Sequence, residues 1–323
     1  MSSDASPVDM TTQIGALSLP NPLMTASGCA AAGRELHQFF DVAELGAVVT
    51  KSVMAQPRSG RDTPRMAETD SGMLNSIGLQ GPGIEAFVEK DLAWLREVGA
   101  RAVVSIAGSS VQEFRDLAAR LADEPGVAGL EVNISCPNVA NRGLVFACEP
   151  GSAASVVSAV RAVTPPSIPL MAKLSPDVTD IVEIAASCVS AGADALTMIN
   201  TLLGVVIDTD RMRPRLAGLT GGLSGPAVRP VAVRCIWQVS AAMRAGRMPT
   251  VPIVGVGGVR TGLDALELVL AGASAVQVGT VAFHDPSAPL RVRDELALAL
   301  AERGFSRFTD AVGHAHRVLA ARE

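Results

Sequence analysis

Short apolar runs rich in β-branched residues alternate along this chain with longer amphipathic segments rich in Ala and Leu. Such alternation is typical of parallel strands joined by crossover helices. The apolar runs predict strands over 22–27, 47–52, 102–108, 129–135, 169–175, 193–200, 252–258 and 275–280. Helical periodicity predicts helices over 84–98, 111–122, 151–163, 178–190, 227–244 and 262–271.

The eight predicted strands favour an α/β fold, the (β/α)8 TIM barrel. We expect residues 1–323 to form a single domain. A doubly wound sheet would carry a G-x-G-x-x-G motif after its first strand, and none is found there. The GVGGVRTG stretch at 255–262 breaks that spacing, because Arg260 stands where the third glycine belongs.

Two long Gly-rich segments, 53–83 and 201–226, lack any hydrophobic period. Loops of that length in a compact domain are usually functional or disordered. Both follow the carboxyl end of a predicted strand, where a barrel keeps its active site. We therefore expect them to be active-site lids.

Composition narrows the function classes. The 323 residues are 48% hydrophobic and 18% charged with a net charge of −5, and they contain no run of Lys and Arg, which argues against a nucleic-acid partner. No stretch approaches 18 uninterrupted apolar residues, so we expect no membrane partner. The first residues contain no apolar signal region, so we expect a cytoplasmic protein.

The five cysteines are scattered and include no C-x-x-C pair, so the spacing predicts neither a zinc site nor an iron–sulfur cluster, and no metal. We expect Cys29, Cys148, Cys188 and Cys235 to be buried free thiols. Cys136 differs, because it follows a predicted strand in the stretch EVNISCPN, between Asn133 and Asn138. It is either a packing residue or a chemical group.

Nearly every predicted strand ends in a polar side chain: Ser27, Lys51 with Ser52, Ser105, Asn133, Lys173, Asn200 with Thr201, and Thr280. In a barrel these ends form the mouth of the active site. Burying an ammonium group without a partner is costly. The two lysines therefore predict an anionic or electron-rich ligand between them.

The last two predicted strands end in glycines, Gly257 with Gly258 and then Gly279. Barrels commonly bind a phosphate in these two loops, because glycine lets backbone N–H groups approach the phosphate oxygens. Helices are expected to begin near Thr261 and Pro286, just past the loops.

Four asparagines add paired donors and acceptors that suit a ring with imide-like edges: Asn75, Asn133, Asn138 and Asn200.

A set of motifs carries a family resemblance: ASG at 26–28, TKS at 50–52, NSIGLQGPG at 75–83, NISCPNV at 133–139, AKLSPDVTD at 172–180, MINTLLG at 198–204, GGLSGPAVRP at 221–230, VGVGGV at 254–259 and VQVGTV at 276–281. Through them the chain resembles class 1 dihydroorotate dehydrogenases, FMN-dependent flavoproteins of pyrimidine synthesis, over nearly its whole length. The stretches NRGLVFACEPG and INTLLGVVID resemble the 1B subclass, which passes electrons to NAD⁺.

The resemblance implies residue roles. It implies that FMN is held by Ser27, Lys51, Ser52, Ser105, Asn133, Lys173, Ile199, Gly225, Gly257, Gly258, Gly279 and Thr280. It implies that dihydroorotate is held by Lys51, Asn75, Ser76, Ile77, Gly78, Leu79, Asn133, Asn138, Asn200 and Thr201. Cys136 would be the base that removes a proton from C5 while C6 delivers hydride to the flavin. Ser105 departs from the family pattern, because many relatives have asparagine there.

The 1B resemblance also implies partners. The chain carries neither a dinucleotide fingerprint nor cysteine spacing for a cluster, so we expect a second polypeptide bearing FAD and a [2Fe–2S] cluster. The family further suggests a homodimer core.

Three alternatives stay open from the sequence alone. They are a fumarate-linked 1A enzyme, a relative of dihydropyrimidine dehydrogenase, and a non-redox phosphate-binding barrel that uses Lys173 for a Schiff base.

Overall fold

The protein is described by a computed structural model, which covers residues 8–135 and 148–321. Its strands are β1 (Thr12–Ile14), β2 (Leu17–Leu19), β3 (Leu23–Thr25), β4 (Val48–Val49), β5 (Met66–Thr69), β6 (Gly72–Asn75), β7 (Ala102–Ile106), β8 (Val127–Asn133), β9 (Leu170–Leu174), β10 (Ala195–Met198), β11 (Leu202–Gly204), β12 (Ile207–Asp208), β13 (Arg213–Pro214), β14 (Gly221–Ser224), β15 (Ile253–Val256) and β16 (Ala275–Val278).

The α-helices are α1 (Arg34–His37), α2 (Ile84–Ala86), α3 (Ala93–Glu97), α4 (Val111–Ala122), α5 (Pro150–Arg161), α6 (Ile181–Ser190), α7 (Arg229–Arg244), α8 (Gly262–Ala271), α9 (Ala288–Glu302), α10 (Phe308–Ala311) and α11 (His314–Ala320). A π-helical turn (Phe87–Leu92) joins α2 to α3, so the helix predicted over 84–98 is one continuous segment. Short 3₁₀ turns cover Val42–Glu44, Pro226–Val228 and Thr280–Phe283.

Eight parallel strands form one sheet in the order β3-β16-β15-β10-β9-β8-β7-β4. A single parallel bridge between Met24 and Ala47 brings its two edges together, which closes the barrel. The predicted (β/α)8 barrel is therefore confirmed. The strand expected over 47–52 is shorter than predicted, since only the two residues of β4 keep ladder geometry.

Side chains complete the seam where β4 is short. The Asn21 Oδ1 atom accepts hydrogen bonds from the backbone N–H groups of Leu23 and Gly46, both at 3.1 Å. The Thr25 hydroxyl accepts from Val49 N at 2.8 Å and donates to Val49 O at 3.1 Å. These bonds supplement the few backbone hydrogen bonds across the seam, such as Gly46 N to Leu23 O at 2.8 Å, because buried backbone groups need partners.

The lower half of the barrel, at the amino ends of its strands, is filled with apolar side chains. One cluster joins the β1–β2 hairpin to the interior: Ile14, Leu19, Met24, Ala47, Val49, Val103, Met171, Ala195, Val254 and Ala275. A Cβ on Gly15 in the hairpin turn would lie 2.9 Å from Pro169 Cβ and 3.1 Å from Asp194 Cβ. The hairpin therefore closes this end of the barrel.

The two predicted lids contain strands that the hydrophobic pattern did not reveal. Within them, β11, β14, β6 and β5 form an antiparallel sheet in that order, and β12 pairs with β13. The expectation of irregular loops is corrected in this respect. The strands are short and Gly-rich, so they carry no clear period of two.

The helices around the barrel begin at recognisable caps. The Thr261 hydroxyl accepts from Asp264 N, and the Asp264 carboxylate accepts from Thr261 N, which makes a capping box at the start of α8. Helix α9 begins at Ala288, two residues after the predicted start. Among the residues that the structure describes, no helix is both long enough and apolar enough to cross a bilayer.

Candidate active site at the barrel mouth

Hydroxyl and amide groups from four neighbouring strand ends are linked at the mouth. The Ser52 hydroxyl lies 2.9 Å from Ser105 Oγ and 3.3 Å from Ser27 Oγ. Asn133 donates from Nδ2 to Ser52 Oγ at 3.0 Å. Four of the side chains predicted to bind FMN are therefore brought together. Ser105 is completely buried, and its hydroxyl contacts Ser52.

The network continues to the sixth barrel strand through asparagine amides. Asn200 donates from Nδ2 to Ser135 Oγ at 2.6 Å and to Asn133 Oδ1 at 3.3 Å. Its Oδ1 atom accepts from Thr201 N at 2.9 Å. Ser135, which was not predicted as a site residue, donates to Asn133 Oδ1 at 3.1 Å. The predicted ring-reading residues Asn133, Asn200 and Thr201 thus form one connected group.

The predicted carboxylate-binding loop, 75–79, is held by both lids. Asn75 donates from Nδ2 to Gly222 O at 3.2 Å, and a Cβ on Gly222 would overlap the Thr201 hydroxyl. Asn75 and Thr201 therefore approach the same strand, β14. Arg61 donates from Nη1 to Ser76 Oγ at 3.0 Å and from its backbone N–H to Ile77 O at 3.0 Å. Sequence reasoning missed Arg61.

The loop turns through two left-handed residues, Gly78 at φ 78° and Leu79 at φ 56°. A Cβ on Gly78 would lie 2.7 Å from the Arg61 side chain. Positive φ combined with this close approach explains why glycine stands there. Leu79 tolerates the strained conformation inside a loop that is bonded on both sides.

The two predicted lysines have different environments. Lys51 is half-buried at the mouth, with Nζ 3.6 Å from the position that a Cβ on Gly28 would take. Lys173 is buried, and its Nζ lies 3.4 Å from the Glu131 carboxylate. Glu131 also accepts from Gln277 Nε2 at 2.7 Å. Neither Glu131 nor Gln277 was predicted as a site residue.

The glycine loops converge beside the lids. A Cβ on Gly258 would lie 2.9 Å from Gly225 O, and a Cβ on Gly257 would lie 3.7 Å from the Ile199 side chain. Thr280 donates to Ser224 Oγ at 2.9 Å. The predicted residues Ile199, Gly225, Gly257, Gly258 and Thr280 therefore belong to one region.

The chemistry of this donor set suits a phosphate-bearing cofactor. Close glycine backbone and the hydroxyls of Ser224 and Thr280 can surround a phosphate group. The Arg229 guanidinium is already paired with Asp264 and Glu267, so backbone N–H groups and hydroxyls would be the phosphate ligands. The amide network and Lys173 can hold the polar edge of a ring. The residues present therefore fit FMN.

The cysteines differ from the sequence expectation in two places. Cys188 and Cys235 are buried as expected, whereas Cys148 is exposed and Cys29 is half-buried. Cys29 lies at the site, since its Sγ is 3.1 Å from the position of a Cβ on Gly279. Burial raises the pKa of the Cys29 thiol, and the Lys173 and Lys51 ammonium groups partly offset that rise. Cys136 and Asn138 lie outside the described residues.

A pocket of about 400 Å³ opens beside these groups. It includes Lys51, Ser52 and Leu79 from the predicted sites and extends outward past Arg34 and Arg58. A volume in this range suits a small-molecule or cofactor site.

Comparison with known proteins identifies the family of this chain. The sequence profile described as Dihydroorotate dehydrogenase matches residues 9–300. The chain belongs to the dihydroorotate dehydrogenase family. The resemblance drawn from the sequence motifs is thereby confirmed, including its B-type character.

Two relatives show how close the match is. A protein of Trichlorobacter lovleyi named dihydroorotate dehydrogenase B (NAD(+)), catalytic subunit, is 51% identical over 94% of this chain and 97% of its own length. A protein of the same name from Geobacter sulfurreducens is 48% identical, with coverage of 94% and 97%.

A solved structure of DHODH from Eimeria tenella, in complex with ferulenol, shares the fold with a TM-score of 0.80. It covers 98% of this chain and 90% of its own, at 24% identity.

Proposed function

We propose that this chain is the catalytic subunit of a B-type dihydroorotate dehydrogenase, which oxidises (S)-dihydroorotate to orotate in pyrimidine synthesis. The observation that carries the proposal is the connected group of Ser52, Asn133, Asn200 and Thr201 beside Lys51 at the barrel mouth, in a chain of this family. These groups supply a cation and paired amide donors and acceptors, which match a carboxylate-bearing imide ring.

FMN is the proposed cofactor, and it would accept the hydride from C6 of the substrate. The glycine loops with Gly225, Gly257, Gly258 and Gly279, together with Thr280, would hold its phosphate. Ser27, Lys51, Ser52, Ser105, Asn133, Lys173 and Ile199 would surround the rest of the cofactor. Lys173 would present its ammonium group to the polar edge of the flavin ring.

Substrate recognition is proposed to divide between two sets of groups. Lys51 and the backbone N–H groups of 75–79 would bind the carboxylate. The edge of the ring would form hydrogen bonds with a second set of side chains: Asn75, Asn133, Asn138, Asn200 and Thr201. Because Arg61 and Asn75 tie the 75–79 loop to both lids, the loop is fixed before substrate binds.

Cys136 is proposed as the base that removes the C5 proton. A thiol with an ordinary pKa near 8.5 can act as a base when it is positioned over the substrate. Its place directly after the strand that carries Asn133 supports this role.

Electrons are proposed to leave through a partner. The names of the relatives include both NAD(+) and catalytic subunit. We propose a second polypeptide that carries FAD and a [2Fe–2S] cluster, docked on a homodimer core of this chain in the cytoplasm. Exposed apolar side chains on the lids support a protein interface, since Met212 is 86% exposed and Ile207 and Leu219 are more than half exposed.

The non-redox alternative is disfavoured by one contact. A Schiff-base lysine presents a free amine to a carbonyl, whereas Lys173 Nζ is held in an ion pair, 3.4 Å from the buried Glu131 carboxylate. The ultraviolet–visible spectrum of the purified protein separates the two candidates, since bound FMN is yellow. A colourless protein that binds no added FMN would contradict the proposal.

Electron acceptors test the partner separately. The isolated chain loaded with FMN should reduce artificial dyes with dihydroorotate and show negligible NAD⁺ reduction. Robust NAD⁺ reduction by this chain alone would contradict the partner, and efficient fumarate reduction would favour a 1A enzyme.

A further inference from the structure

A buried carboxylate lies directly below the proposed flavin site. Glu131 is 0% exposed, and its two partners Lys173 and Gln277 are 4% and 1% exposed. One carboxylate oxygen is 3.4 Å from Lys173 Nζ, and the other accepts from Gln277 Nε2 at 2.7 Å. Three barrel strands, β8, β9 and β16, therefore contribute to one charged cluster.

Uncharged residues fill the barrel interior immediately below this cluster. Two residues before Glu131, Lys173 and Gln277, on the same face of each strand, lie Gly129, Met171 and Ala275. Buried ion pairs are often no more stabilising than apolar residues of similar size. The charge of Glu131 therefore points to a role other than stability.

The position of Glu131 ties it to the site. It precedes Asn133 by two residues on β8, so both side chains point to the barrel interior, one above the other. Asn133 belongs to the mouth network, and Lys173 is the residue proposed to meet the flavin. Glu131 thus lies behind the lysine, on its side away from the mouth.

Two polar atoms around the cluster lack protein partners within the described residues. They are Gln277 Oε1 and Thr197 Oγ1, both buried. Thr197 pairs with Lys173 across β9 and β10. The surroundings of Lys173 therefore contain two further buried polar atoms besides the Glu131 carboxylate.

We propose that Glu131 is a positioning residue that holds Lys173 toward the flavin and offsets its charge, which lowers the midpoint potential of bound FMN. The proposal rests on the proposed function. Reduced flavin carries more negative charge than oxidised flavin, so a nearby cation stabilises the reduced form. The Glu131 carboxylate cancels much of that effect.

The test is an anaerobic potential titration of the FMN-loaded protein, followed by its absorbance. Glu131→Gln keeps the shape of the side chain and removes the negative charge. We expect the midpoint potential to rise, with at least a roughly tenfold shift toward reduced flavin, or about 30 mV for a two-electron couple.

Asp194→Asn provides a matched control. Asp194 also lies on a barrel strand boundary and pairs with an arginine, Arg161, at 2.8 Å, but at the opposite end of the barrel. This variant should leave the potential unchanged. Glu131→Asp keeps the charge, so its potential should lie closer to the parent than that of Glu131→Gln.

The outcomes are distinct. An unchanged potential in Glu131→Gln, or equal shifts in the Gln and Asp variants, would overturn the proposal and leave Glu131 a structural residue. Loss of FMN by Glu131→Gln would also overturn it, because an isosteric amide should preserve the cradle. Failure of the parent chain to bind FMN would instead overturn the proposed function.

Discussion

The lower and upper halves of the barrel interior are built on the same strands and differ in chemistry. In the lower half Met171 and Val254 pack with Ile14 of the closing hairpin. Two residues further along β9, Lys173 is buried against Glu131. Side chains two residues apart on a strand lie on the same face, so Met171 and Lys173 both point into the barrel interior. The difference shows that the fold tolerates polar groups at the mouth, and the proposed FMN and substrate would account for them.

The energetic roles differ in the same way. Burying an apolar side chain stabilises the fold by about 1.5–3 kcal/mol, whereas burying a charged group costs free energy unless it is paired. We therefore expect stability to depend on the lower half and function on the upper half. The following predictions test that division.

The largest expected effect concerns the substrate carboxylate. Lys51 and the 75–79 loop are proposed to bind it, and dihydrouracil lacks it. Buried donors left without a partner make such a site reject the analogue by roughly 10⁴-fold or more. Flavin reduction by the two compounds, measured by stopped-flow absorbance under nitrogen, checks this. Comparable rates would mean that the upper half does not recognise a carboxylate.

The next effect concerns the base. Cys136→Ala should keep FMN and bind orotate but reduce the flavin roughly 10²–10⁴-fold more slowly, because the C5 proton has no acceptor. In the parent, reduction should quicken as the pH rises toward about 8.5, since only the thiolate can take the proton. Cys148→Ala, at an exposed cysteine, is the control and should react normally. A normal rate in Cys136→Ala would return Cys136 to a packing role.

Two variants separate the contribution of the lower half to stability from the contribution of the upper half to FMN binding. Met171→Ala should lower the free energy of unfolding by about 2–5 kcal/mol and leave FMN affinity intact. The double variant Lys173→Met with Glu131→Gln should be nearly as stable as the parent, because replacing a buried ion pair is often neutral. Its FMN affinity should fall roughly 10- to 100-fold through the lost charged contact.

Chemical denaturation and FMN titration measure these two quantities. The division into halves would be wrong if Met171→Ala lost FMN while remaining folded, or if the double variant kept parental affinity.

The smallest effect is a pH dependence of stability outside the site. Burial raises the pKa of Cys188 on α6 to about 12. Its thiol ionises more readily in the unfolded chain, so its stabilising contribution is complete below about pH 8.5 and is lost as pH rises toward 12. The slope from one such group is at most about 1.4 kcal/mol per pH unit. The free energy of unfolding of the parent and of Cys188→Ala, measured between these two pH values, isolates the contribution of this thiol. Identical pH slopes in the two proteins would contradict the prediction.

Much of the barrel could be predicted from sequence because its buried strands are short apolar runs that alternate with amphipathic helical segments. The seam could not, since Asn21 and Thr25 complete it with side-chain bonds that leave no hydrophobic pattern. The lid strands were missed because their pairing involves long-range contacts between β6 and β14. Tertiary pairing of this kind is invisible to local periodicity.

The site was predicted in the same uneven way. Lys51 and Lys173 are conspicuous in apolar runs, and their positions at the mouth follow from the strand ends. Glu131 carried the same signal, a lone charge in the run GLEVNIS, and the reasoning applied to the lysines would have found it. Arg61 carried no such signal, because it lies in a polar lid and contacts the 75–79 loop through hydrogen bonds to Ser76 and Ile77.

The most direct test of the central claim is anaerobic mixing of the FMN-loaded chain with (S)-dihydroorotate. We expect the flavin absorbance to bleach fully and one orotate to form per flavin, without any partner protein. The reaction should be at least roughly 10⁴-fold slower with dihydrouracil. Flavin that stays oxidised, or that bleaches without forming orotate, would contradict the assignment of this barrel as a dihydroorotate-oxidising subunit.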